Sequence, residues 1–564
     1  MMKAPAPAEQ VRKLAEELKV DNILANLMIQ RGISSYEEAR KFFRPEPADL
    51  HDPFLMKDMD KAVDRIISGI HDGEKILVYG DYDVDGTTAV ALVYSFFRKI
   101  YPHVDFYIPD RYREGYGISS EGIDWAKANG FSLVVALDCG IKAVDKIAYA
   151  RGAGIDFIVC DHHMPGTELP AAAAILDPKQ HDCSYPYKEL SGCGIGYKLV
   201  QAFCLQQGME ASVTEQYLDL VALSIAADIV PVTGENRVLV HSGLQKINRE
   251  PRPGIGVLLE LAGAKKQVNV SDLVFMVAPR INAAGRLENA RQAVELLLAE
   301  NYDEALPHGK ALHSINAERK SLDAATVEHA LRLIEKEEGF HSRKTTVVYH
   351  PEWHKGVVGI VAARLTEHFY RPTIVFTRSG NLVTGSARSV RNFDIHQAIE
   401  TCAGLLEQFG GHKYAAGITL REENIDAFRR MFEEVVSASI REDMLVRTIE
   451  IDAEIQLSDI TPRFYSVLRQ FAPFGPGNMA PVFLSRNVQD KGWAKVVGND
   501  HLKMNLSQAG VPGKFFDAIA FRQAGKLPVA ESKVPFDICY SVEENEWNGS
   551  VSLQLNIKDI LPGG

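Results

Sequence analysis

The sequence predicts a multi-unit α/β protein: a parallel sheet first, then a long helical connection, a second α/β unit and a small β-barrel at the carboxyl end. Three observations carry that prediction. From about residue 74 to 230, short apolar runs ("KILVYG", "VDFYI", "LVVAL", "FIVC", "AAIL") alternate with helix-like segments, the texture of a sheet covered on both faces. Near residues 287–340, "RLENARQAVELLLAENYDEAL" and "INAERKSLDAATVEHALRLIEKEEGF" keep helical periodicity with little strand signal. After about residue 446 closely spaced strand-like segments succeed one another with few helices. A chain of 564 residues exceeds a single core, and roughly 100–200 residues per domain suggests three or four units.

Taken in order, residues 1–72 read as helices that cap the first sheet, joined to it by the proline-rich "RPEPADLHDPF". Residues 73–286 form the first α/β unit, and the residues directly after its strands are informative. "KILVYG" runs into "DYDVDG", "LVVAL" into "DCG" and "FIVC" into "DHHMPG", so acidic and imidazole groups gather at the carboxyl ends of three strands. In open α/β sheets ligands bind at that edge. Residues 287–343 are the helical connection. The second unit, 344–446, is built from "KTTVVYH", "GIVAARLTEHF", "RPTIVFT" and the glycine-rich "GGHKYAAG". Residues 447–564 supply the barrel, with strands expected in "TIEIDAEIQL", "PVFLSRNVQ", "HLKMNLSQA", "FDAIAF", "DICYSVEENEW" and "VSLQLNIKDIL".

A hydrophobic fraction of 46% beside 24% charged residues excludes a disordered or fibrous chain. No apolar run reaches the roughly 18 residues of a membrane span, and "MMKAPAPAEQVRKLAEELKV" lacks the apolar centre of a signal peptide, so a cytoplasmic protein without membrane contact is expected. Seven cysteines without a CxxC pair argue for buried thiols over a disulfide framework or a zinc ribbon. A net charge of -12 speaks against coating nucleic acid by bulk electrostatics. A local basic groove stays compatible with it, because metal-binding carboxylates add negative charge where the ion cancels it.

"GDYDVDG" places Asp81, Asp83 and Asp85 directly after a buried strand. Carboxylates crowded there repel one another and lose hydration, so they require protons, arginines or metal ions. Gly86 is expected to turn the loop sharply so that Asp83 and Asp85 face one pocket. Asp138, His162 and His163 come from neighbouring strand ends. Oxygen-rich sites with one or two imidazoles suit Mn²⁺ or Mg²⁺ better than zinc. Two such ions about 3.5–4 Å apart can activate water and clamp a phosphoryl group during in-line displacement. Taken singly, a DxD is usually a solvated turn and an HH pair a coincidence; the signal is their combination, each after a strand. In "SIAADIVP", Asp228 reads as a helix-terminal acid, unfavourable against the helix dipole unless a cation is near.

"DYDVDGTTA", "LDCG", "DHHMPG" and "AADIVP" resemble, in order, the four motifs of the DHH phosphoesterase superfamily. "ILANLMIQRGI", "PDRYREGYG", "LSGCGIGYK", "PRINAAGR", "TGSARS", "GGHKYAAG", "FAPFGPGN" and "NEWNG" extend the likeness nearly end to end, to its branch of single-strand-specific 5′→3′ DNA exonucleases. The resemblance implies a DHH catalytic domain, a DHH-associated substrate domain and a carboxyl-terminal OB-fold. It implies that Asp83 and Asp85 each bind one of two divalent ions, that Asp138 bridges them, and that His162 and Asp228 complete the shell of the second ion. His163 would contact the scissile phosphate. Smaller superfamily enzymes carry a histidine where Tyr79 stands here, leaving Asp81 or water to complete the shell of the first ion.

The metal motifs alone do not name a substrate. "PRINAAGR" is read as a loop offering Arg280, Asn282 and Arg286 to phosphate. By resemblance, Ser386 and Arg388, with Arg111, hold a terminal 5′-phosphate, and His412 with Lys413 lies between glycines that allow close backbone approach. On the barrel, Lys491, Lys495 and Lys514 interleave with Trp493, Phe515 and Phe516, as on a single-strand-binding surface. The expected activity is hydrolysis of single-stranded DNA to 5′-mononucleotides, with loss of the 3′-oxygen and exclusion of duplex by a narrow passage. The family implies work in repair and recombination beside a single-strand-binding protein and a helicase, and a monomer is expected. The alternatives are a short-oligonucleotide or cyclic-dinucleotide phosphodiesterase and a catalytically silent DNA-binding scaffold, against which the barrel and the full ligand set respectively argue.

Overall fold

The computed structural model describes residues 1–264, 267–510, 513–547 and 549–563; of the "NEWNG" stretch, Asn548 lies outside them. The first sheet contains β1 (Lys75–Gly80), β2 (Val104–Tyr107), β3 (Phe131–Leu137), β4 (Asp156–Cys160) and β5 (Ala174–Leu176) in the order β2-β1-β3-β4-β5. Every pairing is parallel. Its strands are near-continuous apolar runs because both faces are covered. Ile76, Val78, Val135 and Ile158 enter one core with the helices Val84–Ile100, Gly192–Gln206 and Leu218–Ala227. The alternate residues Leu77, Val134, Ala136 and Phe157 enter a second core with the helices Ser120–Ala128 and Val144–Gly152.

A 34-residue helix, Tyr302–Glu335, leads to the second sheet. That sheet comprises β6 (Thr346–Tyr349), β7 (Thr373–Ser379), β8 (Leu382–Arg388), β9 (Gln408–His412) and β10 (Ala415–Leu420), ordered β6-β7-β8-β10-β9. Only β6–β7 pairs in parallel; the other three pairings are antiparallel. The barrel contains β11 (Ala453–Glu454), β12 (Phe483–Asp490), β13 (Lys495–Val497), β14 (His501–Gln508), β15 (Phe516–Ala520), β16 (Phe536–Trp547) and β17 (Ser550–Pro562). Pairing of β12 with β14, Val488 opposite Gln508, closes it.

Three segments differ from the expectations. The helices Ala8–Leu18, Asn22–Ile29 and Tyr36–Phe43 do not cap the first sheet: their Leu14, Leu24, Leu27 and Met28 share a core with Leu457, Phe464, Phe483, Leu502 and Leu555 of the barrel. Of residues 1–72, the helix Met59–His71 packs on the catalytic sheet through Met59, Ala62, Val63 and Ile66. Second, "TIEIDAEIQL" keeps only the two-residue β11, because Met2 bridges Ile451 and a capping box between Gln456 and Asp459 turns the chain. Third, "PRINAAGR" is not a loop. It lies on the helix Ala278–Leu287, started by a proline in its first turn and buried through Ile281, Ala283 and Ala284.

The proline-rich connector is fixed by a buried ion pair. Lys198 Nζ lies 2.7 Å from Glu235 Oε1, both side chains at most 1% exposed. The His51 N–H donates to the same carboxylate at 2.8 Å, and Tyr185 donates its hydroxyl to it at 2.6 Å. Lys198 also donates to the His51 carbonyl. Every polar group of the pair therefore has a partner, the condition under which such a pair is tolerated in a core.

Candidate metal centre

The strand ends deliver the expected cluster. Asp83 caps the helix Val84–Ile100, its Oδ1 accepting the Gly86 N–H at 2.9 Å. Asp85 lies in the first turn, where a carboxylate is favoured by the helix dipole. A second helix start grips it: the N–H groups of Gly192 and Cys193 donate to its two oxygens at 2.7 Å each, and Ser224 Oγ donates at 2.7 Å. Gly86 serves close approach rather than a turn, since it is helical and a Cβ there would lie 2.4 Å from the Asp81 carbonyl. Gly192 is constrained likewise, with 2.6 Å from its would-be Cβ to Asp138 Cβ. Asp138 itself sits at φ 60°, a conformation costing about 1–3 kcal/mol for a side-chain-bearing residue and retained where surroundings enforce it.

Around His162 the donors converge. Its Nε2 is 3.2 Å from Asp138 Oδ1, 3.6 Å from Asp228 Oδ2 and 3.7 Å from Asp85 Oδ2. Asp85, His162 and Asp228 form one potential ligand set, and Asp138, His162 and His163 another. Both ring nitrogens of His162, Asp138 Oδ1 and both oxygens of Asp81 are buried without a hydrogen-bond partner among the described residues. Burial, then the charges of Asp85 and Asp83, push Asp138 well above the ordinary carboxylate range. The same causes lift Asp228 to about 8. Burial and then Asp85 raise Asp83, while burial and then Asp83 raise Asp81 strongly. Buried acids with orphaned oxygens beside imidazole fit a hard divalent cation such as Mn²⁺ or Mg²⁺.

Tyr79 points away from the cluster. It is buried against Tyr107, with ring centroids 5.4 Å apart, and donates its hydroxyl to the Gly117 carbonyl at 3.0 Å. Asp81, two residues before Asp83, is fully buried and neither of its carboxylate oxygens has a hydrogen-bond partner among the described residues.

His163 is oriented by Asp161, a residue that motif spacing did not single out although it is the first letter of "DHH". Asp161 Oδ1 lies 2.7 Å from His163 Nδ1 and accepts the N–H groups of His162 and His163; Oδ2 accepts that of Ile141. Burial works to raise the Asp161 pKa, but these partners outweigh it and bring it to about 2. Burial works to lower the His163 pKa, and the Asp161 hydrogen bond and charge overcome it. With Nδ1 so held, Nε2 faces outward, 3.3 Å from the Tyr116 hydroxyl.

The basic residues singled out in the sequence divide into two groups. The Arg286 pKa falls to about 10 through burial and then the charges of Arg111, Arg319 and Arg388, so cations from four segments crowd one place. Arg286 donates to the Gly356 carbonyl at 3.2 Å, Arg111 lies 5.1 Å over the Tyr82 ring, and Arg388 donates to Ser386 Oγ at 2.9 Å. A Cβ on Gly359, in the first turn of the helix Val358–Phe369, would stand 3.0 Å from Ser386 Oγ. That helix start adds a partial positive charge suited to an anion. The pKa of His412, at the end of β9, is lowered by partial burial and then by the charges of Lys142 and His163. Arg280 is occupied elsewhere: it donates to His313 Nδ1 at 3.3 Å and to the Met276 carbonyl, while Asn282 is half-buried on the same helix. Arg319, on the long helix, carried no motif that could have marked it.

On the barrel, Trp493 and Phe515 are exposed, at 70% and 51%, with Lys491 Nζ 5.4 Å from the Phe515 ring centroid. Phe516 is core and Lys514 donates to the Ser458 carbonyl, so these two are not available as a platform.

Residues 75–225 match the DHH family, N-terminal domain; residues 343–438 match the DHHA1 domain and 451–559 the RecJ OB domain. The chain is 36% identical over 558 residues to a single-stranded-DNA-specific exonuclease RecJ of Bacillus subtilis, covering 98% of this chain and 69% of that protein. It is 35% identical over 563 residues to the RecJ of Escherichia coli, covering 96% of each. The crystal structure of RecJ in complex with Mn²⁺ from Thermus thermophilus superposes with a TM-score of 0.84 at 27% identity, over 99% of this chain and 78% of that one.

Proposed function

The chain belongs to the RecJ family of DHH-domain proteins, and from that premise we propose that it is a metal-dependent, single-strand-specific DNA exonuclease acting from the 5′ end. The observation that carries the reading is the set of buried donors on Asp81, Asp138 and His162 with no hydrogen-bond partner among the described residues, together with a cluster of arginines around Arg286 whose member Arg111 also acts on Asp81. A scaffold that only bound DNA would have no use for uncompensated buried carboxylates. Use of Mn²⁺ or Mg²⁺ accords with the donor set and with RecJ structures that contain each ion.

In this reading Asp85, His162 and Asp228 would hold one ion, Asp83 with Asp81 or water would hold the other, and Asp138 would be a ligand available to both. Bound there, the ions supply Lewis acidity to the phosphate and lower the pKa of coordinated water. The protein supplies the rest. Asp85 is held in place by three donors. Asp161 orients the His163 ring through Nδ1–H and favours its cationic form, in which Nε2–H donates to a non-bridging oxygen of the scissile phosphate, where charge develops. Arg111, Arg286, Ser386 and Arg388, with the helix start at Val358, hold the terminal 5′-phosphate. A terminal phosphate fixed there would set the polarity of digestion and limit each product to a mononucleotide. The β9–β10 hairpin narrows the passage over the ligands, and Trp493 with Phe515 grips the strand further along. The reading extends to repair and recombination in the cytoplasm, by a monomer supplied with single strands by a helicase and a single-strand-binding protein.

The test is degradation of a long single-stranded DNA labelled at either end, with Mn²⁺, Mg²⁺ or chelator, by this chain and by Asp138→Ala. Metal-dependent release of the 5′ label as a mononucleotide, lost in the variant, is expected. Tight binding without cleavage, or cleavage of only two- to five-nucleotide substrates, would overturn it, as would digestion of a flush duplex end at the single-strand rate.

A further inference from the structure

Asp228 is held in an unusual way. It ends the helix Leu218–Ala227, and the next residue, Ile229, adopts φ 62° with its side chain 64% exposed. A β-branched residue in the left-handed region is disfavoured by about 1–2 kcal/mol or more and persists only where its surroundings impose it. The constraint comes from a few residues further on. The Val232 N–H donates at 2.7 Å to the carbonyl of Pro476, which lies in the "FAPFGPGN" loop leading into the barrel. The fit is tight: a Cβ on Gly475 would lie 2.4 Å from Val232 Cγ2, and one on Gly477 2.9 Å from Thr233 Cγ2.

That loop is itself locked. Arg237, 3% exposed, donates to the carbonyls of Phe471, Ala472 and Pro473, at 3.0, 2.9 and 3.3 Å, and to that of Phe42 at 2.9 Å. Its guanidinium lies 3.7 Å from the centroid of the Phe42 ring. Arg31 donates to Asn478 Oδ1 at 3.0 Å, and Asn478 Nδ2 returns to the Phe471 and Pro473 carbonyls. A buried guanidinium whose partners are backbone carbonyls of two other segments fixes where those segments sit relative to its own helix, Gly234–Arg249.

We propose that the Arg237-locked loop 471–478 is a latch that positions the metal-ligand Asp228 through the strained strap 229–233, so that docking of the barrel and the N-terminal helices tunes the affinity of the metal site. The inference rests on the assignment of Asp228 as a metal ligand under the proposed function. Gly477 and Arg237 are positioning residues: neither touches substrate or metal.

The experiment measures Mn²⁺ binding to the full DNA-free chain by titration calorimetry and by electron paramagnetic resonance of bound Mn²⁺, beside the Mn²⁺ dependence of single-strand digestion. Four variants are compared with the parent: Gly477→Ala, Arg237→Lys, Asp228→Ala and, as a control that weakens the barrel core away from the loop, Leu502→Ala. Gly477→Ala and Arg237→Lys are expected to weaken Mn²⁺ about tenfold, the size typical of groups that orient ligands. The half-maximal Mn²⁺ concentration rises in parallel, and kcat at saturating Mn²⁺ stays close to that of the parent. Leu502→Ala is expected to lower Tm with Mn²⁺ affinity intact. Unchanged affinity in Gly477→Ala, where Asp228→Ala does weaken binding, would overturn the latch alone. Unchanged affinity in Asp228→Ala would overturn the ligand assignment on which it rests. Equal loss in Leu502→Ala and Gly477→Ala would reduce the effect to general destabilisation and overturn the latch too.

Discussion

Asp161 and Asp228 do different work from inside one cluster, and the difference is electrostatic. Asp161 is ionised throughout the accessible range, with its pKa at about 2, and its charge raises that of His163. Asp161→Asn removes that charge, so the His163 pKa falls. The cationic imidazole is present below its pKa and lost above it, so the alkaline limb of kcat/KM is expected to move to lower pH, with kcat down about 10–100-fold and Mn²⁺ affinity nearly unchanged. A pH–rate profile with parallel calorimetry checks this; an unmoved limb would remove Asp161 from the mechanism. Asp228 is the opposite case, held near a pKa of about 8 by burial and its acidic neighbours until a cation arrives. Mn²⁺ binding at pH 7 is therefore expected to release protons, seen as a binding enthalpy that varies with the ionisation heat of the buffer, and Asp228→Ala should release about one fewer. Asp83, Asp85, Asp138, His162, His163 and Asp228 could be picked out in the sequence because each follows a recognisable strand or helix within a few residues. Asp161 and Ser224 were not, because a residue that acts by orienting another leaves no spacing of its own, and Arg319 was not, because a lone arginine on a long helix carries no motif.

At the scale of elements, what could be read depended on where the hydrogen bonds of a segment go. The strands β1, β3 and β4 were legible because strands buried on both faces are apolar along nearly their whole length. "PRINAAGR" misled because arginine and asparagine count as loop-like, whereas Ile281, Ala283 and Ala284 carry the burial that makes it a helix. The ends of elements are tied by ion pairs whose worth can be tested. Arg65 makes a two-point contact with Glu74 at 2.9 and 2.8 Å and reaches Asp156 at 2.9 Å, joining the helix Met59–His71 to the entries of β1 and β4. The Arg65 hydrogen bond holds the Glu74 pKa below its usual value. A depressed folded-state pKa gives stability that is full above the unfolded-state value and is lost as pH falls through the folded one. Glu74→Gln is thus expected to lower stability by on the order of 1 kcal/mol at pH 7 and by less near pH 3, in urea unfolding at both. Lys198→Met is a harsher change: it leaves Glu235 buried without its counter-ion and is expected to cost about 3–5 kcal/mol, most of it recovered in Lys198→Met/Glu235→Leu.

For the whole molecule, the decisive fact is that the two ends of the chain make one core. The sequence showed amphipathic helices at one end and strands at the other, but which apolar face covers which cannot be read from either. In the structure Leu14, Leu24, Leu27 and Met28 lie under the barrel strands, Met2 bridges Ile451, and Arg237 holds Phe42 and the 471–473 carbonyls together. The barrel is therefore not a detachable tail. A chain cut after residue 446 would strip the cover from the N-terminal helices, and exposure of each large apolar side chain forfeits about 1.5–3 kcal/mol. It is expected to aggregate or to bind a hydrophobic dye strongly, whereas a chain spanning residues 46–446 loses both halves of that core together and is expected to stay soluble with its sheets intact. Dye fluorescence and gel filtration of the two truncations decide the matter: equal behaviour would mean that the N-terminal helices find other cover, and that the shared core does not bind the ends of the chain into one unit.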